Sequence, residues 1–271
     1  MPFITINNRT LHYRDVGEGP ALLMGHNYLA SHAVWREQVR VLSSNYRCIV
    51  PDLWGHGDSS AVPNHKVSIR SLAEDYWVLM QALDIKTYSV CCLSVGGMWG
   101  IQMALDYPEA VNALVLISPG IDDVPMESRA YYLELLNQVD SQCFVPEEIV
   151  EQLIPLFFSG HTRNKRNELT REFKDNLVRV KGEKLSTLVN MGRDILKLGE
   201  VFEGLGRLTV PTLILVGESG KICRPEQSVR FSKKIPGADL RMIPKAGHMS
   251  CLEQPDIVND YLQEFFGRVY A

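Results

Sequence analysis

Residues 89–97 read SVCCLSVGG: an apolar run, a serine at Ser94, and two glycines at Gly96 and Gly97. The run has the composition of a buried strand, and Val95 to Tyr107 that of a helix stopped by Pro108. A serine on a sharp strand-to-helix turn presents its hydroxyl at the edge of a sheet, and the usual pattern for that turn is Gly-x-Ser-x-Gly. The turn strains the serine backbone and demands small neighbours. Gly96 and Gly97 meet that demand on the helix side, but Cys92 stands where the first glycine is expected. Ser94 is therefore a candidate nucleophile, with a plain helix N-cap serine as the competing reading. A helix starting at Val95 aims its positive end at the hydroxyl and favours negative charge there.

The surrounding chain is patterned to build a sheet around that turn. Short strands are expected at 3–6, 11–15 and 21–24, a helix at 33–42, and a strand over YRCIVPD (46–52). SIRSLAEDYWVLMQALDI (68–85) carries Leu72, Tyr76, Leu79 and Leu83 on one helical face, with a capping-type start at Ser71 to Glu74. VNALVLIS (111–118) is another apolar strand. Strands that are apolar throughout and alternate with helices indicate a largely parallel sheet covered on both faces, an α/β fold. From about 120 to 207 the alternation stops; helical stretches are expected at 129–139, 146–158, 167–179 and 186–198, with no strand. It resumes with VPTLILVGE (210–218), a helix over 225–234, the strand ADLRMIP (238–244) and a last helix over 255–266. The expected organisation is a core of 1–119 and 208–271 with a helical cap, 120–207, inserted between two core strands.

Bulk properties narrow the function. The chain has 271 residues, 45% hydrophobic and 22% charged, with a formal net charge of −4. That balance offers no basic face to nucleic acid. No apolar run approaches the roughly 20 residues of a membrane span, and MPFITINNRT has neither a basic nor a long apolar leader region, so a cytoplasmic location is expected. Six cysteines are scattered without metal-type spacing; they are expected to be free thiols, with a redox role for Cys91 and Cys92 the minor reading.

A serine nucleophile needs a base from a loop at the same carboxyl edge of the sheet. His248, in IPKAGHMSCLEQP after the last strand, is so placed; Gly247 would let the chain turn, and Glu253 and Pro255 would begin the last helix. His26 in LLMGHNYLASHAVW (22–35), and His56 and Asp58 in PDLWGHGDSS (51–60), are expected to brace loops; Gly55 and Gly57 suit a tight turn. Trp54 and Trp99 are either core or pocket wall.

Taken in order, GHNYLASHAVW, VPDLWGHGDSS, CCLSVGGMWG, VPTLILVGE and AGHMSCLEQP resemble the α/β-hydrolase superfamily in its cap-bearing esterase and lactonase branch. More weakly, the chain is similar to hydrolases that degrade acyl-homoserine lactone signals, the quorum-quenching enzymes. The resemblance covers nearly the whole chain outside the cap. It implies a serine hydrolase of small-molecule esters or lactones, with no cofactor and no metal. It also implies an oxyanion hole made by the amides of Tyr28 and Val95.

One position departs from the family. Its acid is expected after the ILVGE strand, where this chain has Gly220. Some relatives carry the acid after the preceding strand, where Ser118 stands, with Asp122 and Asp123 just beyond. The acid fixes the histidine tautomer and stabilises the imidazolium. Three readings follow: Glu218 as the favoured acid, Asp122 or Asp123, or no acid and a weakened enzyme. The last leaves room for a second function, a non-catalytic small-ligand receptor on the same fold. Oxygen or peroxide chemistry without a cofactor is a third; a dehalogenase would need a carboxylate at position 94.

Overall fold

In the computed structural model, residues 2–62, 67–119, 126–197 and 204–271 are described. Asp122 and Asp123 lie outside them.

Among the described residues, eight strands form one sheet: β1 (Phe3–Ile6), β2 (Arg9–Val16), β3 (Ala21–Gly25), β4 (Arg47–Pro51), β5 (Tyr88–Leu93), β6 (Val111–Ile117), β7 (Thr212–Gly217) and β8 (Asp239–Ile243). Their order is β1-β2-β4-β3-β5-β6-β7-β8. β1 and β2 form an antiparallel hairpin, and β2 runs antiparallel to β4. Every pairing from β4 to β8 is parallel. The apolar runs have the expected cause: β3, β5 and β7 are buried at every residue, because helices cover both faces.

The core helices are α1 (Arg36–Leu42), preceded by a 3-10 turn at His32–Trp35, α2 (Ile69–Ala82) and α3 (Val95–Asp106). The N-cap of α2 lies three residues before the Ser71 start read from sequence. It is Ser68, whose side chain accepts from the Ser71 amide at 3.0 Å, while the Ser71 hydroxyl serves the Ser68 amide at 2.9 Å. A short hydroxyl at the third helical position thus does what Glu or Gln usually does in a capping box. α2 packs on α3, with Tyr76 against Trp99 at 4.5 Å between ring centroids. Both tryptophans prove to be core: Trp99 is fully buried and Trp54 donates to Asp75 at 2.7 Å.

Among the described residues, five α-helices lie between β6 and β7: α4 (Met126–Gln142), α5 (Glu147–Phe157), α6 (Gly160–Lys165), α7 (Asn167–Val178) and α8 (Gly182–Lys197). The short α6, capped by Ser159, was not read from sequence because six polar and small residues carry no apolar stripe. After β7 come α9 (Pro225–Ser232), then β8, the single turn α10 (Ser250–Glu253) and α11 (Pro255–Val269). Among the described residues, no helix is long and apolar enough to cross a membrane.

Candidate active site

Ser94 sits between β5 and α3 with φ 56° and ψ −117°, a conformation that L-residues rarely adopt. Close packing enforces it. A Cβ at Gly96 would lie 2.6 Å from the Gly25 carbonyl oxygen, so only glycine lets α3 approach the end of β3. The Cys92 side chain is accommodated from the other side. Gly25, its partner in the β3–β5 register, leaves the space: a Cβ there would lie 2.9 Å from Cys92 Sγ and would strike Trp99. A Cβ at Gly100 would come within 3.3 Å of the same sulfur. The glycine missing from the strand is thus replaced by room on its neighbours. Burial pushes the Cys92 thiol well above its usual range, so it is an uncharged core group; of the six cysteines, only Cys143 is exposed.

The loop after β3 is braced by two histidines. His26 Nε2 accepts from the Leu53 amide at 2.8 Å, and His56 Nε2 accepts from the Leu29 amide at 3.2 Å. Nε2 is therefore the unprotonated nitrogen of each ring, leaving Nδ1–H to donate to the Asn27 and Trp54 carbonyls at 2.8 and 2.9 Å. Burial holds both below the ordinary histidine range, His56 at about 3, so both rings are neutral. Leu29 has φ 67°, and the Tyr28 side chain reaches the helical block, its hydroxyl donating to the Leu188 carbonyl at 2.7 Å. The Tyr28 and Val95 amides donate to no other described residue.

Below this loop, buried Asp52 accepts from the His32 and Asp58 amides at 2.6 and 3.0 Å and from Nδ1 of His12 and His32 at 2.7 and 2.9 Å. Burial raises its pKa, but these bonds and the nearby His26 outweigh that and hold the carboxyl far below the usual range. His12, His32 and Asp52 have ligand-type atoms within 4.8 Å of one another. Each imidazole Nδ1 is already turned to the carboxylate, which makes the cluster a brace for the 52–59 loop.

His248 is fully buried, and burial lowers it to about 4. Its loop is tied to the helical block through backbone: the His248 and Met249 amides donate to the Phe157 carbonyl at 3.0 and 3.2 Å, and Ser159 Oγ donates to the Lys245 carbonyl at 2.7 Å. Glu253 does more than open a helix. It is buried and accepts from the Gly247 amide at 2.8 Å, the Ser159 amide at 2.8 Å and Thr162 Oγ1 at 2.7 Å. Gly247 is needed for close approach and not for turning: a Cβ would lie 2.8 Å from the Ser159 nitrogen. The turn itself is made by Lys245, at φ 59°.

The third member expected behind His248 is not where it was sought. Glu218 is exposed at the end of β7 and is not hydrogen-bonded to His248. His248 Nδ1 is buried without a partner among the described residues, as is Ser118 Oγ at the end of β6. The loop has closed over the usual acid position: the Gly220 amide donates to the Gly217 carbonyl at 3.0 Å, and a Cβ on Gly220 would collide with the Cys223 carbonyl oxygen. An aspartate cannot be put back there without remaking the turn. Glu218 leaves a strand that points it to solvent, and its extra methylene does not redirect it.

Ser94, Val95, Tyr28 and His248 line one cavity of about 200 Å³. The helical block supplies most of its remaining wall, including Leu135, Ile149, Phe157 and Leu188; Ile222 and Phe231 close it from the core side.

Comparison with known proteins agrees with this architecture. The chain is 24% identical over 278 residues to the 2-hydroxy-6-oxo-6-phenylhexa-2,4-dienoate hydrolase of Burkholderia cepacia, covering 97% of this chain and 95% of that one. A thermophilic esterase from Thermogutta terrifontis superposes with a TM-score of 0.88 at 24% identity, covering 97% and 95% of the two chains. An N-acyl homoserine lactone degrading enzyme superposes with a TM-score of 0.85 at 24% identity, covering 97% and 100%. The alpha/beta hydrolase fold family model matches residues 20–255, and to that family the chain belongs.

Proposed function

We propose that the chain is a serine hydrolase of carboxylic esters and lactones, with 120–207 acting as a cap over the site. The observation that carries this is the strained Ser94 at the β5–α3 turn, sharing one cavity with the buried, neutral His248. Strain of roughly 1–3 kcal/mol persists only where packing enforces it, and here Gly25, Gly96 and Gly100 shape the packing around it.

In the proposed reaction His248 takes the Ser94 proton as Oγ attacks the substrate carbonyl. The tetrahedral oxyanion is held by the Tyr28 and Val95 amides, both free to donate. Protonated His248 then gives its proton to the leaving alcohol, or to the ring oxygen of a lactone. Water, deprotonated by the same imidazole, releases the acyl group. The apolar cap suits an apolar acyl chain, and an acyl-homoserine lactone is one candidate: its ring supplies the ester and its tail the apolar surface.

A fluorophosphonate probe tests this reading. Rapid labelling mapped to Ser94, absent in Ser94→Ala, is expected. No labelling of a folded protein would sink it and favour the second reading, an inactivated hydrolase or a small-ligand receptor. That alternative draws on one observation, that His248 Nδ1 has no partner among the described residues.

A further inference from the structure

We infer that the site selects substrates whose enclosed part carries no charge, and turns away those that bring a carboxylate under the cap; this rests on the cavity at Ser94 being the substrate site. Among the described residues, the cavity lining contains no lysine, arginine, aspartate or glutamate. Its polar side chains beyond Ser94 and His248 are Tyr28, Tyr132, Cys223 and Gln227. Most of these are already engaged. The Tyr28 hydroxyl is spent on Leu188, Cys223 Sγ lies 3.1 Å from the Pro119 carbonyl oxygen, and Gln227 Oε1 accepts from the Arg224 amide at 2.8 Å. The cation beside lining residue Gly192 is Arg193, and its guanidinium is bound to Asn137 and Asp140, each at 2.9 Å. Lys197, next in sequence to lining residue Leu196, is exposed and its ammonium is bound to Asp194 at 3.3 Å.

An anion entering such a cavity loses its water and gains no countercharge, an effective cost of several kcal/mol. A methylene gains about fourfold in the same place by leaving water. The two effects act in opposite directions on substrates of equal length. The curated relative named for a dienoate handles a carboxylate by its name; this cavity is built for the neutral counterpart.

The test compares molecules of one length. Hydrolysis of p-nitrophenyl methyl suberate is measured against p-nitrophenyl hydrogen suberate at pH 7.5, where the free carboxyl is ionised, with p-nitrophenyl octanoate as reference. In parallel, the neutral dye N-phenyl-1-naphthylamine is bound to Ser94→Ala and displaced by dimethyl suberate or by suberate dianion. The neutral member of each pair is expected to be at least about 100-fold better, the size a several-kcal/mol penalty implies. Gln227→Lys, which sets a cation in the wall, is expected to shrink that ratio at least tenfold. Displacement by the dianion within about threefold of the diester would overturn the inference, as would no dye uptake. If none of the esters is hydrolysed but the dye experiment discriminates, the catalytic reading fails and the polarity of the site stands.

Discussion

The serine side of the site and the histidine side are held by different means. On the serine side the backbone itself is forced: Ser94 at φ 56°, Leu29 at φ 67°, and glycines at 25 and 96 where any Cβ would collide. On the histidine side the ring hangs from a loop held by hydrogen bonds, within the core through Ser219 and the buried Glu253 and to the helical block through Phe157 and Ser159. The ring's own Nδ1 has no partner among the described residues. The proposed nucleophile is therefore preorganised chiefly by backbone packing within the core, whereas the proposed base is positioned by hydrogen bonds that reach the helical block as well as the core.

The largest effect expected from this contrast belongs to Ser94→Ala. Removing the nucleophile should cut ester turnover by about 10⁴-fold or more, while thermal unfolding stays close to that of the parent, because no described hydrogen bond uses the hydroxyl. A loss of stability in step with activity would mean that Ser94 is a structural cap.

Glu253→Gln attacks the other side. The amide keeps one acceptor but sets an N–H against donors already pointing inward. About 2–3 kcal/mol of stability should go, as for other buried charge-assisted bonds broken on one side. Because Gly247 and Ser159 share this carboxylate, kcat should fall about 10- to 100-fold with KM little changed. Stopped kinetics and calorimetry on the same sample separate the two. If kcat holds while stability falls, the histidine loop does not depend on its tie to the helical block.

How much of this was legible beforehand follows the same divide. SVCCLSVGG could be read because backbone strain leaves a mark in residue types, glycines at fixed offsets. The compensation for Cys92 could not, since Gly25 is 67 residues away and only the sheet register makes them neighbours. GHNYLASHAVW and AGHMSCLEQP located the loops, but Glu253 read as a helix opening because its three donors come from residues 94, 91 and 6 positions distant. The acid was sought by offset after ILVGE, and offset fails where a turn is remade: Gly220 marks a closed loop, and Glu218 faces solvent.

The pH profile tests whether Nδ1 of His248, which has no partner among the described residues, is bare. Burial lowers His248 from 6.5 to about 4. With the neutral ring as the proposed base, kcat/KM should stay flat on the acid side to about pH 4, with activity at pH 5 close to that at pH 7. Stability moves with the same group. Above pH 6.5 the ring is neutral folded and unfolded. Between 6.5 and 4 only the unfolded chain takes the proton, so about 3 kcal/mol of stability is lost as pH falls through that window. A carboxylate opposite Nδ1 would raise the limb toward neutrality. A limb near 6–7 that collapses in Asp122→Asn or Asp123→Asn would assign the acid to that segment and remove the asymmetry between the two sides.

Tyr28→Phe probes the side-chain hydrogen bond by which the loop after β3 touches the helical block. It deletes one bond and leaves the buried Leu188 carbonyl unpaired, at a cost of about 1–2 kcal/mol. The Tyr28 amide stays where His26 and His56 hold the loop, so kcat should drop less than tenfold. A fall as large as that of Glu253→Gln would show that the loop proposed to hold the oxyanion depends on the helical block as much as the histidine does.

The smallest effect is reserved for Cys92→Gly, which writes the usual motif into this chain. The sulfur fills space left by Gly25 and Gly100, so its removal leaves a small void lined by Val90, Trp99 and Leu114. Loss of that packing, together with the freer glycine backbone in the middle of a parallel sheet, should destabilise the fold by about 1–2 kcal/mol. Turnover should change by less than threefold, because Ser94 is strained by Gly96 against the Gly25 carbonyl and not by the residue at 92. A Cys92→Gly chain that is both more stable and faster would mean the thiol strains the elbow, and that room in the neighbouring strand only partly replaces the missing glycine.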